Sequence, residues 1–271
     1  MKDELAEHFR QTREPVQKAE PNGEYAEQLQ QLRGILARSK RIVFLGGAGV
    51  STESGIPDFR SSDGVYAAMK QYGHAPEVLL SHTFFLSHPD EFFAYYRAHL
   101  LHPKAQPNDA HRALARLEAE EKLIAVVTQN IDGLHQKAGS KNVLELHGSV
   151  YRNHCMACGK AYSLEEVLKK DGVPHCYCGG IIKPDVVLYE EPLDERVWRA
   201  AMLQIHRADT LIVGGTSLLV YPAAGLVDYF QGSNLVVINL TQTSRNACAN
   251  LAIAAPIGRV FKEAVLCAKS A

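Results

Sequence analysis

The chain has 271 residues, 46% hydrophobic and 22% charged, with 20 Gly and 12 Pro, a globular balance that excludes disordered, collagen-like and low-complexity classes. Its 29 Lys+Arg against 30 Asp+Glu leave a net charge of −1, with no cationic excess to release counterions, so direct nucleic-acid binding is not expected. The length suits one large domain, alone or with a smaller one.

Residues 1–25 read as a charged extension that lacks the apolar stretch of a secretory signal. Over 24–39, Leu29, Leu32, Ile35 and Leu36 recur on one helical face. Arg41–Leu45 predicts a buried strand opening into Gly46-Gly47-Ala48-Gly49, where small residues either let backbone N–H groups approach a pyrophosphate or simply allow packing. Thr52 stands where a dinucleotide fingerprint has its third glycine, and a polar loop from Ser51 to Arg60 replaces the expected helix. In that loop Phe59 can wall off a reacting centre, and Arg60 can pair with phosphate or with Asp58 or Asp63.

Residues 61–104, aromatic and His-rich with Pro76, Pro89 and Pro103, predict a helical insertion of short helices. A helix over Asn108–Glu121 follows, with Leu114 and Leu117 inward. Leu123–Thr128, Val143–Leu146, Thr210–Gly214 and Leu235–Asn239 are further short apolar runs, separated by helical patterns at Asp194–Arg207 and Ala223–Gln231. Such alternation predicts an α/β fold with a parallel sheet covered on both faces. The longest uncharged stretch, 210–227, is broken by Gly214, Gly215, Pro222 and Gly225, so no membrane span is expected.

Polar residues cluster where these strands end. Thr128-Gln129-Asn130-Ile131-Asp132 follows one strand, and His147-Gly148 follows another. Gly215-Thr216-Ser217 and Asn239-Leu240 follow two more, and open α/β sheets place ligands at such ends. Each has a plain reading as well: an Asx turn explains Asn130 and Asp132, and a lone His is often a satisfied structural residue. Cys155-x-x-Cys158 and Cys176-x-Cys178, with 17 residues between the pairs, come close to a four-thiolate zinc ribbon with a structural metal. The second pair is one residue short, so the geometry is altered or His154 or His175 competes as a ligand. Cys248 and Cys267 sit among apolar residues and are expected in the core. Clustered thiols without an export signal suggest a reducing, cytoplasmic setting.

Together, GAGVS at 47–51, SGIPDFR at 54–60, TQNIDGLH at 128–135, LHG at 146–148, the cysteine pairs, KPDVVLYEE at 183–191, GTSL at 215–218 and INL at 238–240 resemble the sirtuin family of NAD-dependent protein lysine deacylases, from about residue 30 onward. The resemblance implies a Rossmann-type NAD-binding domain over 26–60, 105–149 and 183–271, the helical insertion at 61–104 and a zinc-ribbon module at 150–182. It also implies one structural zinc, and NAD consumed as a co-substrate: the acyl oxygen of a substrate lysine attacks C1′, and the products are nicotinamide, free lysine and an O-acyl-ADP-ribose. Ala48, Gly49, Thr52, Phe59, Arg60, Gln129, Gly215, Thr216, Ser217, Asn239, Leu240 and Ile257 are implied for the dinucleotide. Ile131 and Asp132 are implied for the nicotinamide amide, Asn130 for the ribose and a water, and His147 as general base. Acetylated protein would lie as an added strand between 187–191 and Val220–Tyr221, with Val187 and Tyr189 flanking the acyl-lysine.

Two departures bear on substrate. Phe93 and Tyr96 stand where sirtuins that prefer succinyl or malonyl groups carry a Tyr-x-x-Arg pair, which implies an apolar pocket for acetyl and longer aliphatic groups, with Arg97 facing away. Glu190 replaces a glycine of the peptide-binding loop. The competing functions are a protein mono-ADP-ribosyltransferase and a non-catalytic, NAD-sensing zinc-ribbon module.

Overall fold

The computed structural model describes residues 23–58 and 68–267; Phe59 and Arg60 lie outside the described residues. In chain order its helices and strands are α1 (Gly23–Arg38), β1 (Ile42–Gly46), α2 (Pro76–Leu79), α3 (His82–Ser87), α4 (Pro89–His99), α5 (Asp109–Ala119), β2 (Leu123–Thr128), α6 (Leu134–Ala138) and β3 (Val143–Glu145). Then come β4 (Gly148–Cys155), β5 (Ala161–Ser163), α7 (Leu164–Leu168), β6 (Ile182–Val186), α8 (Glu195–Arg207), β7 (Thr210–Gly214), β8 (Asn234–Ile238), β9 (Leu251–Ile253) and α9 (Ile257–Phe261).

All five residues of β1 are buried, and the pleat sends Ile42 and Phe44 into one core and Val43 and Leu45 into the other. Both faces are covered, which is why the run shows no polar alternation. One core contains Leu29, Leu32, Ile35 and Leu36 of α1 with residues of α5 and α9; the other contains Ala201 and Ile205 of α8. The six strands are parallel, in the order β3-β2-β1-β7-β8-β9. The chain therefore winds outward from β1 to β3, returns to β7 beside β1, and winds outward the other way. This is a Rossmann-type arrangement whose switch point lies between β1 and β7, and ligands bind such sheets outside the carboxyl ends of the strands there.

Two excursions rise from that edge. After β3 the chain enters an antiparallel sheet ordered β5-β4-β6. Gly148 opens β4 at φ +76, and a Cβ there would meet the Asp185 carbonyl at 1.9 Å, so only glycine lets β4 and β6 approach. Between β1 and α5, helices α2, α3 and α4 pack an aromatic core of Phe84, Phe85, Phe92, Phe93, Tyr95 and Tyr96 against Val150, Leu164, Val186 and Leu188. Pro76 and Pro89 start helices, at the first position, where the missing N–H costs nothing.

Two expectations need correction, and one strand is added. Residues Ala223–Tyr229 form a 3-10 helix, with the Gly225 N–H reaching only to the Pro222 carbonyl, because Pro222 fixes its start and Gly225 is a poor helix former. Strand β9, three residues long, carries too little pattern to be read from sequence. Cys248 and Cys267 are exposed, the former in a short turn with Sγ donating to the Arg245 carbonyl, because their apolar neighbours in sequence are turned elsewhere. Among the described residues no helix is long and apolar enough to cross a membrane.

Candidate active site

The carboxyl ends of β1 and β7 meet backbone to backbone. A Cβ on Gly49 would lie 2.8 Å from the Gly215 Cα, and one on Gly215 would lie 2.4 Å from the Val50 nitrogen, so both glycines are needed for this contact alone. Two short 3-10 turns follow β1, Ala48–Val50 and Thr52–Ser54, and Asn108 ties them down by donating to the Val50 carbonyl (2.7 Å) and Ser54 Oγ (3.0 Å) while capping α5.

Next to this platform a cavity of about 220 Å³ is lined by Ala48, Ser51, Gln129, Asn130, Ile131, Asp132 and His147 from the large sheet's edge. Leu80, His99, Leu100 and His102 come from the helical insertion, Val186–Glu191 from the strand leaving β6, and Val220, Tyr221 and Pro222 from the loop after β7. The ends of β1, β2, β3 and β7, far apart in sequence, thus converge through the parallel order of the sheet.

A polar relay runs along the floor. Asn130 Nδ2 donates to Ser51 Oγ (3.0 Å), and Ser51 Oγ donates to Asp132 Oδ2 (2.6 Å). The Leu134 N–H satisfies Asp132 Oδ1 at 2.9 Å. Burial pushes the Asp132 carboxyl up from its usual value, against the opposing pull of Ser51 and the Leu134 amide. Gln129 Nε2 donates to the Thr216 hydroxyl (3.2 Å), joining the β2 and β7 loops. His147 Nδ1 lies 2.9 Å from the Gln129 carbonyl oxygen. A carbonyl only accepts, so the proton sits on Nδ1 and Nε2 is the basic nitrogen.

Thr52, Ser217, Asn239, Leu240, Ile257, Phe93 and Tyr96 do not line this cavity. Thr52 donates its hydroxyl to the Gly49 carbonyl (3.0 Å), Ser217 and Leu240 are exposed, and Asn239 bonds Thr241 at the end of β8. Ile257 is buried in the core at the start of α9, where its Cδ1 abuts Gly214. Phe93 and Tyr96 face the aromatic core of the helical insertion, 1% exposed, and neither lines the cavity. Arg97 turns away to bond the Lys170 carbonyl at 2.7 Å. Ser51, Leu80, His99 and His102 were not singled out as site residues from sequence. Ser51 carried a signal, as the first polar residue after the glycine turn, whereas His99 and His102 carried none apart from being near prolines.

In the antiparallel sheet the four thiols of Cys155, Cys158, Cys176 and Cys178 lie within 4.8 Å of one another, and no other group of possible ligands gathers among the described residues. Cys155 and Cys178 sulfurs are 3.4 Å apart and those of Cys158 and Cys176 are 3.7 Å apart. These separations are far beyond a disulfide, and match the roughly 3.8 Å edge of a tetrahedron with 2.3 Å metal–sulfur bonds. The shortened Cys176-x-Cys178 pair therefore converges, helped by the Gly179 turn at φ +87. His175 bonds the Gly179 carbonyl instead of joining the cluster. The Cys178 amide and the Tyr162 hydroxyl bring the Cys176 thiol down to about 6, toward the thiolate a zinc ion needs.

The Sir2 family profile matches residues 47–222. The chain belongs to the Sir2 family. Among its relatives, an NAD-dependent protein deacetylase of Clostridium perfringens is 56% identical over 241 residues, covering 88% of this chain and 99% of that protein. The corresponding protein of Staphylococcus aureus is 44% identical, over 83% of this chain and 93% of its own. A solved Sir2 structure with a deacetylated p53 peptide and 3′-O-acetyl ADP-ribose superimposes with a TM-score of 0.80 at 39% identity, over 87% of this chain and 96% of that one. One bound to acetylated peptide gives 0.76 at 38% identity, over 86% and 95%. The sirtuin fold thus accounts for the crevice and for the cysteine cluster beside it.

Proposed function

We propose that this sirtuin removes acetyl groups from protein lysines at the expense of NAD. The observation that carries the reading is His147, whose Nδ1–H is fixed on the Gln129 carbonyl so that its basic Nε2 serves the cavity into which Asn130, Ile131 and Asp132 also project. NAD supplies an anomeric carbon bearing a pyridine that leaves without its positive charge. Ile131 and Asp132 hold the amide of that leaving group, and the Ser51 bridge keeps Asn130 and Asp132 in register so that the ribose is presented in one orientation. His147 Nε2 takes a proton from a ribose hydroxyl once the acyl oxygen has attacked. Ala48, Gly49, Thr52, Gln129, Thr216, Ser217, Asn239, Leu240 and Ile257 are assigned to the dinucleotide side, and so, by the resemblance alone, are Phe59 and Arg60.

The peptide main chain adds as a strand between Val187–Tyr189 and Val220–Tyr221, giving affinity through backbone bonds. Cys155, Cys158, Cys176 and Cys178 would hold one zinc ion that would cross-link the small sheet, a structural and not a chemical contribution. The division into a large domain (26–60, 105–149, 183–271) with excursions at 61–104 and 150–182, and a cytoplasmic site of action, belong to the same reading.

The test is nicotinamide release. It should require an acetylated peptide and yield deacetylated lysine with O-acetyl-ADP-ribose. ADP-ribose left covalently on an acceptor protein would favour the transferase reading, and NAD binding without release would favour a sensor. His147→Ala should lower turnover by about 10² to 10⁴-fold with unchanged melting and metal content. Because no lysine or arginine is among the described residues that line the cavity, an acetylated peptide should turn over faster than its succinylated counterpart; the reverse order would overturn the acyl assignment.

A further inference from the structure

The strand that leaves β6 is tied at both ends. At its start the Val187 N–H donates to the His147 carbonyl at 3.0 Å. At its far end it meets α3: the Tyr189 N–H donates to the Leu80 carbonyl and the His82 N–H to the Tyr189 carbonyl, both at 3.0 Å. One step further, Glu190 adopts φ +74, a left-handed conformation that side chains with a Cβ seldom take. A glycine would make this turn without strain. Here a glutamate makes it, and its Oε2 accepts both the Thr83 amide (2.9 Å) and the Thr83 hydroxyl (2.7 Å). The first amides of α3 are then satisfied in succession by the Tyr189 carbonyl, the Glu190 carboxylate and the Ser81 hydroxyl. Helix α3 itself is anchored by Phe84 and Phe85 in the aromatic core, so the far end of the pin is rigid.

We propose that Glu190 is a positioning residue for the peptide substrate: by clamping the 187–191 segment to Thr83 it presets the Val187–Tyr189 strand at the spacing from Val220 and Tyr221 that an acylated peptide must bridge. The idea rests on the deacetylase reading for its kinetic form only. A preset strand does not have to be ordered by the incoming peptide, so the clamp contributes to peptide affinity and leaves the chemical step and NAD affinity alone.

Glu190→Gly relieves the left-handed strain while deleting the clamp. It should raise the KM for an acetylated peptide about fivefold, the size of one lost cap, with kcat at saturating peptide and the KM for NAD unchanged and no loss of melting temperature. Glu190→Gln, which keeps an acceptor oxygen, should recover most of the affinity, and Thr83→Val should add little to Glu190→Gly. A wild-type peptide KM in Glu190→Gly, or a fall in kcat with both KM values intact, would overturn the proposal. Amide exchange gives an arm that needs no turnover: Glu190→Gly should speed exchange at Tyr189 and Thr83 and leave Val126 protected. Unchanged exchange at Tyr189 refutes the clamp even in an active enzyme. Faster exchange in a protein that releases no nicotinamide supports the clamp and faults the deacetylase reading instead.

Discussion

Around β1 the core is aliphatic and regular, built from strands that hydrogen-bond in one continuous sheet and helices that cover both faces. In the small lobe, by contrast, a three-stranded antiparallel sheet with two very short elements leans on a cluster of thiols on one side and on stacked aromatic rings from α3 and α4 on the other. Phe85 and Phe92 meet edge to face at 4.9 Å, and Phe92 stacks on Tyr96 at 5.9 Å. The large sheet can hold itself together by burial. The small lobe has too little aliphatic surface for that and depends on cross-links and large rings. The cavity lies along the seam, so its floor is built by the first region and its opposite wall by residues of the second.

The sharpest way to break this contrast is to remove a metal ligand. Cys176→Ser should strip the zinc and unfold the small lobe, since structural zinc is worth on the order of 10 kcal/mol of folding in small zinc modules. Metal analysis should show loss of the ion, and hydrogen exchange should rise by orders of magnitude over 148–186 while Val126 and Ile212 stay protected. Global unfolding would mean that the two regions are one cooperative unit.

Next in size is a matched pair of core truncations. Phe44→Ala and Phe92→Ala each remove a fully buried ring and should each cost about 3–5 kcal/mol. Denaturant unfolding of Phe44→Ala should shift the whole transition, whereas Phe92→Ala should loosen the lobe first and weaken peptide binding before the sheet is affected.

Acid separates the regions more gently. His111 and His135 lie with ring centroids 4.7 Å apart under β1. Burial, reinforced by Arg112, brings His111 down to about 4, and burial, then His111, holds His135 well below its usual value. Both stay neutral in the fold while the unfolded chain takes up protons below pH 6.5. Their contribution is therefore complete above 6.5 and is lost as the pH falls below it; for His111 the loss runs down to about 4 and amounts to about 3 kcal/mol. On the segment after β6, where it meets the small lobe, burial raises the Glu191 carboxyl, but the Leu188 amide, His82 and Lys183 outweigh it and hold the group below 4.5. Its contribution should persist down to that value and vanish only beneath it. Denaturation curves from pH 7.5 to 3.5 should show the first limb flattened in His135→Leu and the second in Glu191→Gln.

Much of the large domain was legible because its signals are local. The spacing of Leu29, Leu32, Ile35 and Leu36, the two-faced apolar runs and the polar residues just beyond them each report on neighbours in the chain, and the cavity-lining residues Gln129, Asn130, Asp132 and His147 stand where those runs stop. The cysteine pairs were legible for the same reason, spacing within a short segment.

The amino-acid sequence by itself determined the α/β class, the polar strand ends that line the cavity and the four thiols, since periodicity and short spacing are properties of adjacent residues. Only the tertiary structure decided that Ser51 bridges Asn130 and Asp132, that Phe93 and Tyr96 serve the aromatic core, that Cys248 and Cys267 face solvent, and that Glu190 reaches Thr83 across 107 positions. Each of these depends on where two distant segments meet, and the order of the sheet, which sets that meeting, is written in no single stretch of the chain.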